Sequence, residues 1–419
     1  MKKVWIFNHY ATSTFFDHGG RHYYFAKYLI RAGYDVKIFC ASTVHNTEKN
    51  LITDSRTYFE DSCDGIPYIF IKCRNYIGNG KERVFNMFDY YHGLLKITKN
   101  YEKPNVIIGS SVHPLACIAA NKLAKKYKCK SIVEIRDLWP ESFVAFGIMK
   151  KTNSLISCLY AGEKWIYKNA NAIIFTMEGG KDYIIEKNWD KANGGPIDLN
   201  KVYHINNGVD LEEFETNRQK DDFHDNDLEN SKLFKVVYTG SVRFVNQVSE
   251  LVNVAKILRD KHADNIKILI WGAGDQCDEI SRNIKAEGLT NIIIKGSVPK
   301  NTIPQILLKS DLNIYLLAQS PLYKYGLSMN KQFEYFVSGK PVLASSNSGY
   351  SIIDEYHCGT CLEDFTSDAL AEEIIRFANI PYDEYTKYCK NAIFAAKDYD
   401  FKYLTEKLID IVKSQEKAK

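Results

Sequence analysis

The strongest constraint in this sequence is a rhythm that runs twice. Short apolar runs rich in β-branched and aromatic residues alternate with segments of helical periodicity. In the first half the runs are KVWIFN, YDVKIFC, YIFIK, NVIIGS, KSIVEI, NAIIFT and KVYHIN, with RHYYFAKYLIRAG, LACIAANKLAKKY and LISCLYAGEKWIYKNA between them. The second half restarts with FKVVYTG, IKILIWG, NIIIKG, LNIYLL and KPVLAS, separated by ELVNVAKILRDKH, CDEISRNIKAEG, TIPQILLKS and MNKQFEYFVSG. Nearly unbroken apolar strands alternating with helices predict open, mostly parallel α/β sheets covered on both faces. Two such sheets suit the length, because one core stops growing near about 250–300 residues and the chain has 419.

The junction is legible. Asn206-Asn207-Gly208-Val209-Asp210 follows a strand, and the charged stretch 215–232 reads as a loop or linker. The expected domains are 1–205, joined by an amphipathic C-terminal helix from about 398 to 419, and 206–397.

Composition narrows the function classes. Lys+Arg 55 against Asp+Glu 51 leaves a net charge of +4, which points away from a nucleic-acid binder. The apolar run after Met1-Lys2-Lys3 is too short for a signal peptide, and no run is long enough to span a bilayer. Ten scattered cysteines read as reduced cytosolic thiols. Cys358 and Cys361 have metal or redox spacing but lack a second pair, so they read as structural. The unusual counts are 28 Tyr and 22 Phe, residues suited to interfaces and wet sites.

In doubly wound domains ligands bind at the carboxyl ends of strands, and two such domains facing each other share a cleft there. Chemistry is therefore expected in strand exits. Gly19 and Gly20 open a helix where backbone N–H groups can approach a phosphate or sugar; the competing reading is a plain helix-entry turn. The pattern is not a dinucleotide fingerprint, which disfavours a nicotinamide cofactor. A metal site from His9, His18 and His22 lacks supporting carboxylates, so no metal is expected. Ser110, Ser111 and His113 leave a strand, with His113 aimed at the cleft or capping a helix. Arg136, Asp137 and Glu141 leave the next strand, either to bind an acceptor or to form a structural ion pair. Gly240, Ser241 and Arg243 leave the first strand of the second half, pairing close backbone approach with an always-charged clamp. Gly272 marks another Gly-rich exit. The most informative stretch is GLSMNKQFEYFVSGKPVLAS. Leu327, Ser328, Met329, Asn330 and Lys331 lead into a helix whose Glu334 lies one turn deeper, placed to take both hydroxyls of a ribose.

Together HGGRHYYFAKYLIRAGYDVKIF, IRDLWPES, NNGVD, TGSVR and GLSMNKQFEYFVSGKPVLAS resemble glycosyltransferase family 4, retaining enzymes of the GT-B fold, over almost the whole chain. IRDLWPES and NKQFEY are most similar to the bacterial amino-sugar transferases of O-antigen and capsule assembly, of the L-fucosamine type. The resemblance implies two Rossmann-like domains facing across a cleft, with the C-terminal helix crossing back to the first. It implies a UDP-sugar donor held by the second domain, with Glu334 on the ribose and Arg243 on the pyrophosphate. Gly19 and Gly20 would match the loop near donor phosphate and acceptor, and His113 the active-site histidine. Arg21, Arg136, Asp137 and Glu141 would face the acceptor. The family pattern has an acid eight positions before the ribose-binding Glu; here that position is Gly326, as tends to hold in the amino-sugar subgroup. The Lys that often follows the clamping Arg is replaced within FVNQ, and Lys331 could supply the second positive charge.

The expected function is transfer of a sugar, an N-acetylated amino sugar, from a UDP-sugar to a lipid-linked saccharide acceptor in bacterial surface polysaccharide synthesis. The leaving phosphate itself would take the acceptor's proton, without metal or cofactor. Alternatives are a GT-B nucleotide-sugar 2-epimerase and a non-catalytic partner of another transferase. Lys122, Lys125, Lys126, Lys128 and Lys130, with FNMFDYY nearby, suggest a cytoplasmic enzyme held peripherally at an anionic membrane surface; a solvated helix face with ordinary core aromatics is the competing reading.

Overall fold

The computed structural model describes residues 1–111, 113–220, 222–346, 348–363 and 366–417. It divides into two compact units, Met1–Asn206 with Phe401–Lys419, and Asn207–Asp400.

In the first unit the strands are β1 (Lys2–Phe7), β2 (Tyr34–Ala41), β3 (Tyr58–Cys63), β4 (Ile66–Ile71), β5 (Val106–Ser111), β6 (Lys130–Ile135), β7 (Ala172–Phe175) and β8 (Val202–His204). Among the described residues they form one sheet in the order β3-β4-β2-β1-β5-β6-β7-β8. The pairs are parallel except β3 with β4. The strand period of two splits β1 between two cores. Val4 and Ile6 pack with Tyr24, Phe25 and Leu29 of the helix Arg21–Arg31 and with Phe401, Leu404 and Leu408 of the helix Phe401–Lys417. Trp5 and Phe7 face the opposite way, toward Tyr90, Leu94, Ala116 and Ala120. A strand buried on both sides must be apolar throughout, which is what KVWIF provides. The edge strand β3 is missing from the sequence reading because YFEDSC is polar and exposed along most of its length.

The second unit contains β9 (Phe234–Thr239), β10 (Ile266–Trp271), β11 (Ile292–Gly296), β12 (Leu312–Leu316), β13 (Val342–Ser345) and β14 (Gly359–Leu362). Their order is β11-β10-β9-β12-β13-β14, all parallel. That is the doubly wound arrangement, with its switch point between β9 and β12.

One expectation changes. The stretch 215–232 is not a loose linker. Asp210 caps the helix Leu211–Arg218, its side chain accepting from Glu213 N at 2.9 Å. Leu228 is buried, Asp227 pairs with Lys267 on β10, and both Asp225 and Asp227 pair with Lys295 on β11. The carboxylates that look solvated in sequence meet strand lysines; Asp221, within that stretch, lies outside the described residues. The C-terminal helix expected from about 398 to 419 runs Phe401–Lys417 and follows a separate helix, Tyr382–Asp398. The break sits where Tyr399 O accepts from Val209 N at 3.0 Å. Residues 418 and 419 of the expected helix lie outside the described residues.

Arg21 is a second correction of role. It is 6% exposed and is not presented to a ligand. Its Nε donates to Glu134 on β6 at 2.8 Å, and its two Nη groups donate to Asn206 O at 2.5 Å and Ile205 O at 2.8 Å. Burial opposes ionisation of Glu134, but Arg21 and His22 outweigh it and hold the carboxyl well below the ordinary range.

Removing one partner of such a pair strands a buried charge, at about 3–5 kcal/mol. Arg21→Met should lower the unfolding free energy of the first unit, read from urea denaturation, by that much, and Arg21→Met/Glu134→Gln should recover part of the loss. A single-variant loss below about 1 kcal/mol, the value of a surface pair, would refute the structural role.

Candidate functional site

In the first unit the switch point lies between β1 and β5, whose exits carry His9 and His113. The two rings meet there, His113 Nε2 lying 2.7 Å from His9 Nδ1. His9 also stacks on Tyr10 and Tyr90. Both histidines are 1% exposed, and His113 takes the N-cap position of the helix Pro114–Tyr127 without a side-chain capping bond. Burial, reinforced by Arg83, lowers the His113 pKa to about 3. Burial and then His113 push His9 well below its ordinary value. Both rings are neutral at physiological pH, one donating and the other accepting.

Around this pair the Gly-rich entry is ordered from within. Gly20 has φ 100 and ψ 164 and caps the helix Arg21–Arg31, while Gly19 is buried beside it. His22 Nδ1 is 2.8 Å from Asn8 Nδ2 and its Nε2 is 2.9 Å from Glu134 Oε1. Ser110 donates to the same Oε1 at 2.9 Å. Ser111 Oγ accepts from the Arg136 backbone N–H at 3.2 Å. The charged triplet divides. Asp137 is exposed and Arg136 half-buried, but Glu141 accepts from Tyr160 Oη and Lys187 Nζ and is committed to that internal cluster. His9, His18 and His22 do not come together, since His18 pairs with Asp64 instead.

In the second unit the exits of β9 and β10 and the helix Asn330–Val337 build a polar cluster. Tyr238 donates to Ser241 O at 2.6 Å, and Lys331 Nζ donates to the Tyr238 hydroxyl at 2.8 Å from above its ring. Gly240, at φ 131, makes room: a Cβ there would lie 2.9 Å from Lys331 Nζ. Gly272 is required by packing, since its Cβ would fall 1.8 Å from Gly240 O; its role is to let two strand exits touch rather than to meet a ligand. Ser328 is also used internally, accepting from Asn207 N at 3.0 Å, while its carbonyl accepts from Asn207 Nδ2 at 2.9 Å. Leu327 and Met329 are half-buried and Asn330 is exposed.

Two side chains remain uncommitted. Arg243 extends from the β9 exit, exposed, with no side-chain hydrogen bond or ion pair among the described residues. Glu334 is half-buried, and its carboxylate likewise has no hydrogen-bond or ion-pair partner among the described residues. Burial raises the Glu334 pKa, with Lys300 and Lys331 opposing and Glu213 adding to the rise. Burial pushes Lys331 down to about 7, with Glu334 opposing. A desolvated carboxylate without a partner and a free guanidinium suit a diol and a diphosphate respectively.

Sequence reasoning missed Glu134 and Tyr238, and it weighed His9 only as a metal ligand and Asn207 only as part of the domain junction. His9 leaves a strand just as His113 does, and Glu134 is an acid inside the apolar run KSIVEI, so both carried a signal. Tyr238 and Asn207 act through tertiary contacts that spacing does not show.

The chain matches two family models. Residues 21–213 match Glycosyltransferase Family 4, and residues 219–399 match Glycosyl transferases group 1. No curated protein matches the sequence. Among solved structures, a sucrose-phosphate synthase from Thermosynechococcus elongatus superposes with a TM-score of 0.73 at 15% identity, covering 100% of each chain. HepE from Anabaena, in complex with UDP-glucose, gives 0.63 at 13% identity, covering 99% of this chain and 100% of that one. A glycosyltransferase from Rickettsia africae gives 0.66 at 18% identity, covering 100% and 99%. These similarities concern the fold.

The neutral histidine pair has a pH signature. Both pKa values are depressed in the folded chain, so its contribution is complete above the unfolded value of about 6.5 and declines as pH falls through it. The urea midpoint of the first unit should drop as pH falls below about 6.5, and His9→Gln/His113→Gln should remove part of that slope, the rest belonging to His22 and His204, which burial also holds below the ordinary value. An undiminished slope in the double variant would place the titration elsewhere.

Proposed function

We propose, from the premise that this chain is a glycosyltransferase of the GT-B fold, that it transfers an N-acetylated amino sugar from a UDP-sugar to a lipid-linked saccharide acceptor with retained configuration. The observation that carries the donor half of this reading is Glu334, a desolvated carboxylate with no hydrogen-bond or ion-pair partner among the described residues, one turn into the helix Asn330–Val337. Arg243 at the β9 exit is likewise unpaired. Glu334 would accept from the ribose hydroxyls, and Arg243 would hold the diphosphate, on whose oxygens charge accumulates as the glycosidic bond breaks. Lys331, pushed down to about 7, would add positive charge beside Gly240 once an arriving anion favours its protonated form, the proton coming from solvent. The UDP-glucose complex of HepE supports a nucleotide-sugar donor for this fold.

The leaving phosphate would take the proton of the attacking hydroxyl. His113 is neutral and buried, so its part is to hold the β1 and β5 exits in place rather than to supply a proton. Arg136 and Asp137 remain as the acceptor-side groups, whereas Arg21 and Glu141 do not; Gly19 and Gly20 would stand near the donor phosphate.

The bacterial surface-polysaccharide setting, the cytoplasmic location and the anionic membrane face belong to the same proposal. No described helix is long and apolar enough to cross a membrane. Ile77, Val84, Phe85 and Phe88 are nevertheless exposed at 67%, 48%, 44% and 45%, next to Arg74, Lys81 and Arg83. Lys125, Lys126 and Lys128 are exposed, whereas Lys122 is tied to the Tyr91 hydroxyl at 2.8 Å. Apolar side chains rimmed by basic ones suit an anionic lipid surface.

Arg243→Ala should lower kcat/KM by about 10²–10³-fold without moving the melting temperature. Glu334→Gln should weaken UDP binding by about 10–100-fold. Near wild-type values in both variants, read by UDP release and calorimetry, would refute the donor site. Phe85→Ser/Phe88→Ser should reduce sedimentation with anionic vesicles, and retained sedimentation at high salt would count against this surface.

A further inference from the structure

The loop that runs into Gly19-Gly20 carries a second group of side chains that sugar transfer does not use. His18 Nδ1 lies 2.7 Å from Asp64 Oδ2, and Cys63 Sγ lies 3.3 Å from each of those atoms. The three candidate ligand atoms fall within 4.8 Å of one another. They come from two segments, His18 from one and the adjacent pair Cys63-Asp64 from the other. His18 ends the short helix Thr12–Asp17, Cys63 is the last residue of β3, and Asp64 opens the turn into β4. His18 and Asp64 both hold left-handed backbone, at φ 47 and φ 51, which fixes where their side chains start.

We propose that His18, Cys63 and Asp64 form a binding site for a zinc-class divalent cation, with water as the fourth ligand. Imidazole nitrogen, thiolate and a single carboxylate oxygen are the donors such a cation takes, whereas Ca²⁺ or Mg²⁺ wants six or more oxygens. Tetrahedral bond lengths set ligand–ligand edges of about 3.3–3.6 Å. The present edges need to open by well under 1 Å to reach them. The His18 and Asp64 side chains are 62% and 51% exposed, which gives the ion an approach and gives the ligands room to open. Tyr23, on the helix Arg21–Arg31, donates its hydroxyl to Asp64 Oδ2 at 2.7 Å. That is the outer support that orients a metal-bound carboxylate. Binding forms bonds from the ion to nitrogen, oxygen and sulfur, and the thiol proton leaves to solvent. Thiolate and carboxylate together balance the divalent charge. The bound ion ties the β3–β4 turn to the segment that precedes Gly19-Gly20, adding metal bonds to the His18–Asp64 hydrogen bond that joins them.

The test needs no sugar-transfer assay, so it stands or falls apart from the proposed reaction. The full chain, stripped with chelator, is titrated with Co²⁺ and then Zn²⁺. One Co²⁺ per chain is expected, with the strong visible bands of tetrahedral cobalt and a near-ultraviolet thiolate charge-transfer band, all displaced by Zn²⁺. Cys63→Ser should abolish the charge-transfer band. His18→Asn, which keeps a side chain tolerant of left-handed backbone, should weaken binding at least tenfold. Zn²⁺ should raise the melting temperature of wild type but not of the two variants, whose metal-free melting verifies that they fold. Absence of stoichiometric Co²⁺ uptake, or a charge-transfer band that survives in Cys63→Ser, would overturn the site; the latter would assign the metal to another of the cysteines.

Discussion

The first unit is organised around a charge buried where charge is least tolerated. Glu134 sits in β6, between two parallel neighbours, at 1% exposure. An ionised carboxylate there is stable only if its lone pairs are filled and its charge is matched. Arg21 fills Oε2, while His22 and Ser110 fill Oε1. The same guanidinium spends its remaining donors on the carbonyls of Ile205 and Asn206, the last residues before the chain leaves this unit. One side chain thus sets the start of the helix after Gly19-Gly20, the position of β6, and the end of the unit. That is why Arg21 is unavailable to a ligand although it follows the Gly pair directly. An Arg is needed because its planar fork presents several donors in fixed directions, which a Lys cannot.

The second unit begins with the next residue and is fastened by neutral hydrogen bonds. Asn207 is bound through its backbone and its side chain to Ser328, in the segment that leads into the helix Asn330–Val337. That helix brings Lys331 over Tyr238 and under the Gly240 turn, and the missing Cβ of Gly240 is what makes the approach possible. Lys331 and Glu334 share a poorly solvated corner without forming a direct ion pair. Each is pushed toward its neutral form, so each is primed to gain when a ligand brings hydroxyls or negative charge.

The architecture was legible because its signal is periodic. Strands buried on both faces read as apolar runs, and β1, β2, β5, β6, β9, β10 and β12 all do so. Glu334 and Arg243 were legible as candidates because strand exits and helix starts are marked by Gly and by charge. What was not legible depends on partners far along the chain. The acids at 225 and 227 look solvated until Lys267 and Lys295 are placed beside them, and Glu141 looks like a ligand group until Lys187 arrives. The tyrosine excess is also resolved in part by structure. Tyr90, Tyr167, Tyr183, Tyr238 and Tyr315 are buried, and their hydroxyls donate to a carbonyl or carboxamide oxygen or to Glu163, whose pKa burial raises to about 8. Tyr fills core volume there while satisfying a polar atom, a use that composition cannot distinguish from an interface.

Gly326 shows how a departure from a sequence pattern acquires a physical meaning. It stands eight positions before Glu334, has φ 99 and ψ 172, and donates its N–H to Tyr323 O at 2.9 Å. That combination of angles is nearly restricted to glycine. An acid at this position therefore requires a different path through the whole turn and is not reached by adding a side chain to the present one. The backbone is built for glycine, and the turn delivers Ser328 to Asn207 and the following residues to the helix start. On the proposed reading, the donor sugar is met in this turn by peptide groups rather than by a carboxylate. Peptide groups supply donors, and a donor there favours an acceptor on the sugar such as an acetamido carbonyl, whereas a carboxylate favours free hydroxyls. On that reading, the glycine that stands in place of an acid would shift recognition toward N-acetylated sugars.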